Sequence, residues 1–439
     1  MRLLRMLELF TMRPFALLFL LFLASCGPKP SQKSETAVSL EGTGGLVLPE
    51  GFVAEVFADE LGEARHLTVA EDGTVYVRLR RSTQGKSMVA LRDTNHDGKA
   101  DIIERFGPSE GGTGIAVRPG YLYFSTDSRV YRQRRLAQCL LPEGKPELLI
   151  ELPEQDQHAA KPLAFDQEGH LYLTIGAPSN SCQEPDRQRG VAGQDPCPLL
   201  DYSGGIWRFS ASTPNQQFED GLHYASGIRH AVGISWNDED ARLYAMQHGR
   251  DQLHEHWPEY YNLRQSAALP AEEFFRVDSG DHFGWPYCYY DWQKDQKLLN
   301  PEYGGNGDSI GRCRQFEKPI VAFPGHWAPN ALQFYHAEQF PVSYKGGAFI
   351  AFHGSWNRAP FPQQGYKVVF VPFSGGEPMG GYSTFADGFA GEDEPEAPSD
   401  AQYRPCGLAV GPEGYLYISD SRKGRIWQVR FAGEKPLLE

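Results

Sequence analysis

Apolar and polar residues take turns along much of this chain. In VYVRL, LYLTI and LYISD the apolar side chains fall on one face at a period of two, the mark of a half-buried strand. Each such run is the second half of a longer unit: a short apolar strand, an acidic or glycine turn, then a strand carrying an aromatic. The copies are HLTVAEDGTVYVRLR from 66, GIAVRPGYLYFSTDS from 114, PLAFDQEGHLYLTIG from 162, GISWNDEDARLYAMQHG from 233, ALQFYHAEQFPVSYKGGAFIAFHGS from 331 and GLAVGPEGYLYISDS from 407. Three turns end on an acidic residue followed by glycine (EDG, QEG and PEG), which is hairpin chemistry. The first copies are evenly spaced and the later ones lie further apart, with the excess at 177–205 and 256–325.

A hairpin recurring six times predicts an all-β fold, a six-bladed β-propeller. Each hairpin supplies the inner strands of one blade. The excess segments become loop insertions over one face of the disc. A pair of β-sandwiches would not explain the recurring unit. The 439 residues suffice for one large domain, and 13% aromatics with 47 glycines and 32 prolines suit a turn-rich β protein. A formal charge of −14 with no basic run argues against nucleic acid as a partner and against electrostatic docking to anionic lipid.

The N-terminus adds a compartment. Arg2, Arg5 and Arg13 precede the apolar run FALLFLLFLASC, the layout of an export signal. LASC at 23–26 resembles a bacterial lipobox, with cleavage before Cys26 and a lipid on its sulfur. The polar stretch GPKPSQKSETAVSLEGTGG that follows suits a tether. The expected organisation is a lipoprotein signal over 1–25, a flexible tether over 26–45 and the propeller over 46–434. The expected location is outside the cytoplasm, anchored to a membrane; Gly27 after the cysteine favours the outer membrane, facing the periplasm.

Beyond Cys26 the cysteines are Cys139, Cys182, Cys197, Cys288, Cys313 and Cys406, an even number in an exported chain. Cys182 with Cys197, and Cys288 with Cys313, would each close a loop inside one insertion, leaving Cys139 and Cys406 over. The full pairing stays open. DTNHDGKADIIE, residues 93–104, fits the calcium-loop template at every fixed position. Asp93, Asn95 and Asp97 offer side-chain oxygens, Lys99 its carbonyl, Asp101 a contact through water and Glu104 two oxygens. The flanks SMVALR and IIERF read as strands, so this is a strand–loop–strand structural site rather than a helical sensor. No CxxCH motif predicts covalent haem.

Propeller ligands gather where loops of several blades meet the central channel. His158 and Lys161 stand just before the third repeat, Arg229 and His230 before the fourth, and Arg404 before the sixth; Arg358 follows the fifth. Arginines and a lysine around one channel mouth in an acidic chain point to a small polyanionic ligand. A histidine among them can serve as a general base near neutral pH. The backbone turns at Gly249 after His248, where carbonyls can face a cation. HEHWP does not have the spacing of a zinc helix, and Pro258 stops any helix there.

Together, GIRHAVGISW, GDHFGWPYCYYD, HWAPNALQFYHAEQFPVSYKGGAFIAFHGSWNR and YRPCGLAVGPEGYLYISD resemble the glucose/sorbosone dehydrogenases that use pyrroloquinoline quinone (PQQ), including the pyranose dehydrogenase type. The resemblance runs from about 48 to 431. It implies PQQ held at the channel mouth, His158 as catalytic base and Arg229 polarising the quinone oxygen. It implies cofactor contacts from Arg404, Arg358, Lys161 and His230, and a calcium ion beside the quinone on the carbonyls of Gly249 and Arg250. It further implies a sugar substrate and an external electron acceptor, a cytochrome or the quinone pool. The chain departs from the pattern in places. His230 stands where many relatives carry Asn, Arg250 replaces a Pro, Gln402 replaces an Arg, and Lys161 stands where close relatives carry Arg. Two other readings compete: a calcium-dependent lactonase-like hydrolase, which would need several channel carboxylates, and a non-catalytic calcium-stabilised binding propeller.

Overall fold

A computed structural model describes residues 43–391 and 394–434. The expected signal, the lipidation site Cys26 and nearly all of the tether lie outside these residues. Among the described residues no helix is long and apolar enough to cross a membrane.

The strands form six four-stranded antiparallel sheets and two small hairpins. Blade 1 runs Ala64–Val69, Val75–Thr83, Lys86–Arg92 and Ile102–Phe106. Blade 2 spans Ile115–Arg118 to Glu143–Glu151, blade 3 Leu163–Phe165 to Leu222–Ser226, blade 4 Ala231–Asn237 to Val321–Phe323 and blade 5 Pro329–Phe334 to Ser383–Ala386. Blade 6 takes Pro405–Val410, Leu416–Asp420 and Ile426–Phe431 from the C-terminal end, and its outer strand Phe52–Ala58 from the N-terminal end. Phe52 pairs with Phe431 and Val56 with Trp427, so the two ends of the domain close the ring.

The first strands of the six blades touch one another in a circle and form the channel wall. Each predicted hairpin is thus the inner pair of its blade. The alternation that made these strands legible also builds the core. Val75, Val77, Leu79, Val89 and Leu91 pack under blade 6 residues Tyr417 and Ile426, all buried. Phe349, Phe370, Phe385, Tyr335 and Trp427 fill the join between blades 5 and 6. Edge-to-face ring pairs such as Phe52 with Phe340 at 4.8 Å add to area burial there.

The insertions differ from expectation in one respect. Segment 256–325 is not a single insertion, because EEFFRV at Glu272–Val277 is the third strand of blade 4. That strand is buried on both faces except Arg276, so no alternation marks it. The inserted chain therefore falls at 176–204 in blade 3 and at 248–271 and 278–320 in blade 4. It contains the short helices Leu253–His256 and Leu263–Ala268 and the hairpin Cys288–Asp291/Gln296–Leu299. The Cys182–Cys197 and Cys288–Cys313 disulfides form, and all four cysteines share one apolar cluster with Trp285 and Tyr287. Cys139 and Cys406 are free thiols, so the two left-over cysteines do not pair with each other.

Candidate active site

His158 lies in the loop before blade 3 with φ at 53°, a left-handed backbone that few non-glycine residues adopt. Such conformations persist where surrounding contacts over-determine them. The contacts here are close. A Cβ on Gly176 would lie 2.6 Å from the His158 Cβ and 3.0 Å from His230 Nδ1, so only glycine lets the two histidines approach this strand end. The imidazoles of His158 and His230 stack at 4.7 Å, and His248 meets His230 edge-on at 4.9 Å.

His158 Nδ1 lies 2.5 Å from the Ala177 carbonyl. A carbonyl only accepts, so Nδ1 carries the proton and Nε2 keeps its lone pair. Burial, reinforced by the nearby Arg229 charge, lowers its pKa to about 3. His248, bonded to the Pro329 carbonyl at 2.8 Å, is lowered to about 4 by burial. Burial also holds His230 and His353 well below the ordinary range. The channel mouth is therefore lined by neutral imidazoles at neutral pH.

Arg229 is 3% exposed. Its backbone N–H donates to Gln247 Oε1 at 2.6 Å, Nη1 to the Gly249 carbonyl at 3.0 Å and Nη2 to Asp251 Oδ2 at 2.6 Å. Its buried Nε has no partner, and neither has His230 Nδ1 nor Arg65 Nε. Burial alone would push the Asp251 carboxyl up, but Arg229 and Arg187 outweigh it and hold it below the usual range. His353 lies in the fields of Arg404, Arg65 and His248, and it lines a cavity of about 420 Å³. Its walls include Arg65, Arg80, Arg404 and Arg422 against one acidic residue, Glu63. Arg404 is braced on the His353 carbonyl at 3.1 Å and the Gly354 carbonyl at 2.5 Å.

The structure thus gathers His158, Arg229 and His230 in one buried cluster and places Arg404 in the wall of the arginine-lined cavity. Lys161 is fully buried nearby, with Nζ on Gln155 Oε1 at 2.6 Å and the Ala159 carbonyl at 2.8 Å; burial lowers its pKa to about 7. Arg358 points elsewhere: it donates to the carbonyls of Ala267 at 2.7 Å and Pro362 at 3.0 Å, and it is not in the Arg404 cavity wall. The Gly249 carbonyl receives Arg229, while the Arg250 side chain pairs with Glu302 at 2.5 Å, both almost wholly buried. Residues 93–101 form a loop between two blade 1 strands, as the pattern predicts. Asp93 accepts from the N–H groups of His96 and Gly98, Asp97 from Lys99, Asp101 from Thr94, and Asn95 Oδ1 from Asp97. Glu104 lies on the following strand opposite Ala90. Among the described residues, three metal-ligating side chains of the His, Cys, Asp or Glu type converge only at Asp166, Glu168 and His170, a blade 3 turn.

Sequence reasoning missed Arg65, Arg80, His353 and Asp251. Arg65 was findable, since it opens the first inner strand just where the rule used for Arg229 and Arg404 looks. Asp251 carried no signal, because its partners are distant in sequence.

A six-bladed propeller whose channel mouth combines buried neutral histidines with an arginine-walled cavity is a scaffold for a small polyanionic ligand. The chain belongs to the TrAA12-like family, whose model matches residues 46–432. The pyrroloquinoline quinone-dependent sugar dehydrogenase of Hypocrea jecorina is 20% identical over 411 residues, covering 89% of this chain and 84% of that protein. The pyrroloquinoline quinone-dependent pyranose dehydrogenase of Coprinopsis cinerea is 27% identical over 233 residues, 46% of this chain and 30% of that protein's length. The holo form of the PQQ domain of the Coprinopsis cinerea enzyme superposes with a TM-score of 0.70 at 19% identity, over 88% of this chain and 97% of that one. That likeness establishes the propeller fold.

Proposed function

We propose that this chain oxidises an aldose or related sugar with PQQ as hydride acceptor and passes the electrons to an external acceptor. The observation that carries the reading is the neutral, fixed-tautomer His158 stacked on His230, with the unpaired Nε–H of Arg229 in the same buried cluster, together with an arginine-walled cavity that includes Arg65 and Arg404. A flat tricarboxylate fits such a donor set. Arg65 and Arg404 supply charge for its carboxylates, and the free Nε–H of Arg229 faces developing negative charge. PQQ, when bound, supplies the two-electron sink for the hydride. His158 takes the sugar hydroxyl proton on Nε2, while its Nδ1–H stays on Ala177 and holds the ring in place. The carbonyls of Gly249 and Arg250 are the proposed contacts for a calcium ion, and the 93–104 loop for a second, structural one. The family and the names of its relatives support this reading, and the site's Asp251 carboxylate is already engaged by Arg229 and Arg187, which disfavours the lactonase alternative. The proposed location is a lipid anchor at Cys26 on a membrane surface outside the cytoplasm.

The test is an absorbance titration of the purified protein with PQQ in calcium buffer, followed by sugar-dependent dye reduction. His158→Ala should keep PQQ bound and lower kcat by about a thousandfold, the scale of a lost general base. A folded protein that binds no PQQ leaves the calcium-stabilised binding propeller as the reading.

A further inference from the structure

Arg229 does not reach its position through its own strand alone. One carboxylate, that of Asp251, gathers side chains from three separate segments. Its Oδ2 accepts from Arg229 Nη2 at 2.6 Å and from Arg187 Nη2 at 2.9 Å, and its Oδ1 accepts from Asn357 Nδ2. Those partners lie 22, 64 and 106 residues away in sequence. The Asp251 backbone is clamped as well: its N–H donates to Asn180 Oδ1 at 2.8 Å, and Asn180 Nδ2 returns to its carbonyl at 3.0 Å.

We propose that Asp251 is the positioning residue of the site: it fixes the Arg229 guanidinium and ties it to the disulfide-closed loop of blade 3 and to the 353–358 loop of blade 5. The assignment of a catalytic consequence rests on the dehydrogenase reading above. The geometric role does not.

The physical case has three parts. Charge-assisted hydrogen bonds are short and strong, and this carboxylate makes them to two cations at once. Without it, Arg229 and Arg187 would face each other with no anion between them. Next, Arg187 sits inside the loop closed by Cys182–Cys197, with φ at 57° and a second bond from Nη1 to Gln252 Oε1 at 2.8 Å. Its place is therefore set by the insertion, and it cannot slide freely to follow Arg229. Finally, Nη1 and Nη2 of Arg229 each make one bond, to the Gly249 carbonyl and to Asp251, while the buried Nε–H has no partner. Asp251 and the Gly249 carbonyl thus fix the orientation of the guanidinium.

The experiment uses the purified protein and two variants, Asp251→Asn and Arg187→Met, read by amide hydrogen exchange, PQQ titration and sugar kinetics. Asp251→Asn should speed exchange in 180–193 and in 353–358 together, leave the strands of blade 2 protected, and weaken PQQ binding by about tenfold, the worth of one charge-assisted bond. With PQQ saturating, its kcat should fall while KM for the sugar stays within about threefold, as expected for a lost transition-state contact. Arg187→Met should speed exchange in 180–193 only. Unchanged exchange in both loops of Asp251→Asn overturns the proposal. So does a rise spread over every blade, which would make Asp251 a folding residue rather than a positioning one. A wild-type protein that binds no PQQ ends the dehydrogenase reading, and the exchange pattern then still decides the role of Asp251.

Discussion

Blade 2 and blade 4 carry the same four-stranded sheet, yet they are built differently. Blade 2 runs from Ile115 to Glu151 with short connections, and its core side chains include the fully buried Leu122, Phe124 and Val130. Blade 4 runs from Ala231 to Phe323 and interrupts its sheet with two long inserted segments. Those segments hold a disulfide, the buried Arg250–Glu302 ion pair and many side-chain bonds to backbone, and they send Lys297 to Glu273 on the third strand. Blade 2 is held by area and by its own ladder. Blade 4 adds specific polar joints, and the candidate site sits on those joints. The regular part makes a ring whose geometry any blade can share. The irregular part makes one end of that ring unlike the other. If this division is right, damage to the joints should disable the site end while the ring survives.

The largest expected effect is acid lability. His66, His158 and His248 are buried neutral, with pKa values lowered by burial to about 4, about 3 and about 4. In the unfolded chain they titrate at the ordinary value near 6.5, so between about pH 6.5 and about pH 4 the unfolded state binds more protons. Stability is whole above about pH 6.5 and falls as pH drops, by up to about 1.4 kcal/mol per unit for each such histidine. Urea unfolding across that range should show the slope, and His248→Gln should flatten it. A stability that stays level from about pH 7 to about pH 5 would contradict the buried neutral histidines.

Next comes the buried pair of Glu273 and Lys297, with side chains 3% and 1% exposed. Lys297 Nζ lies 3.3 Å from Glu273 Oε2, and Glu273 Oε1 accepts from Gln247 Nε2, the side chain that holds the Arg229 N–H. Lys297→Met strands a buried carboxylate and should cost about 3–5 kcal/mol. Adding Glu273→Leu should recover much of that stability without restoring the grip on Gln247. Equal stability of single and double variants would show that the pair is not what holds this segment.

A third measure separates the regions directly. Cys288 and Cys313 close a 25-residue loop inside blade 4, so removing the bond should release about 3 kcal/mol of chain-entropy restraint. The loss should be local. Hydrogen exchange should rise in 284–316 while blade 2 keeps its protection. A uniform rise over all blades would erase the distinction between ring and joint.

The same division explains what the sequence discloses. Hairpins are legible because VYVRL or LYISD alternates over its own few residues, and their copies reinforce one another. EEFFRV escapes notice because a strand buried on both faces has no alternation to show. His158, Arg229 and Arg404 are legible by their place beside a repeat. Arg358 has a matching place in the sequence, but its loop turns it to the Ala267 carbonyl. Asp251 is hidden because its meaning lies in Arg187 and Asn357, which only the folded insertions bring to it.

The smallest expected effect tests the comparison from the other side, by asking whether any charged contact in the insertions matters. Arg312 meets Asp195 across the two insertions at 2.5 Å, with side chains 39% and 44% exposed. The pair has good geometry, and Arg312 also lies over the Tyr287 ring at 4.7 Å. Both groups remain in solvent, however, so water already satisfies them and salt screens them. Arg312→Ala should therefore change stability by less than about 1 kcal/mol, with part of that change owed to lost contact with Tyr287. A denaturation midpoint close to wild type at low salt, beside a large loss in Lys297→Met, would show that burial and not the mere presence of ion pairs makes the blade 4 insertions rigid. A loss in Arg312→Ala as large as that in Lys297→Met would mean instead that the insertions depend on their surface contacts, and the site end would have to be regarded as loosely held.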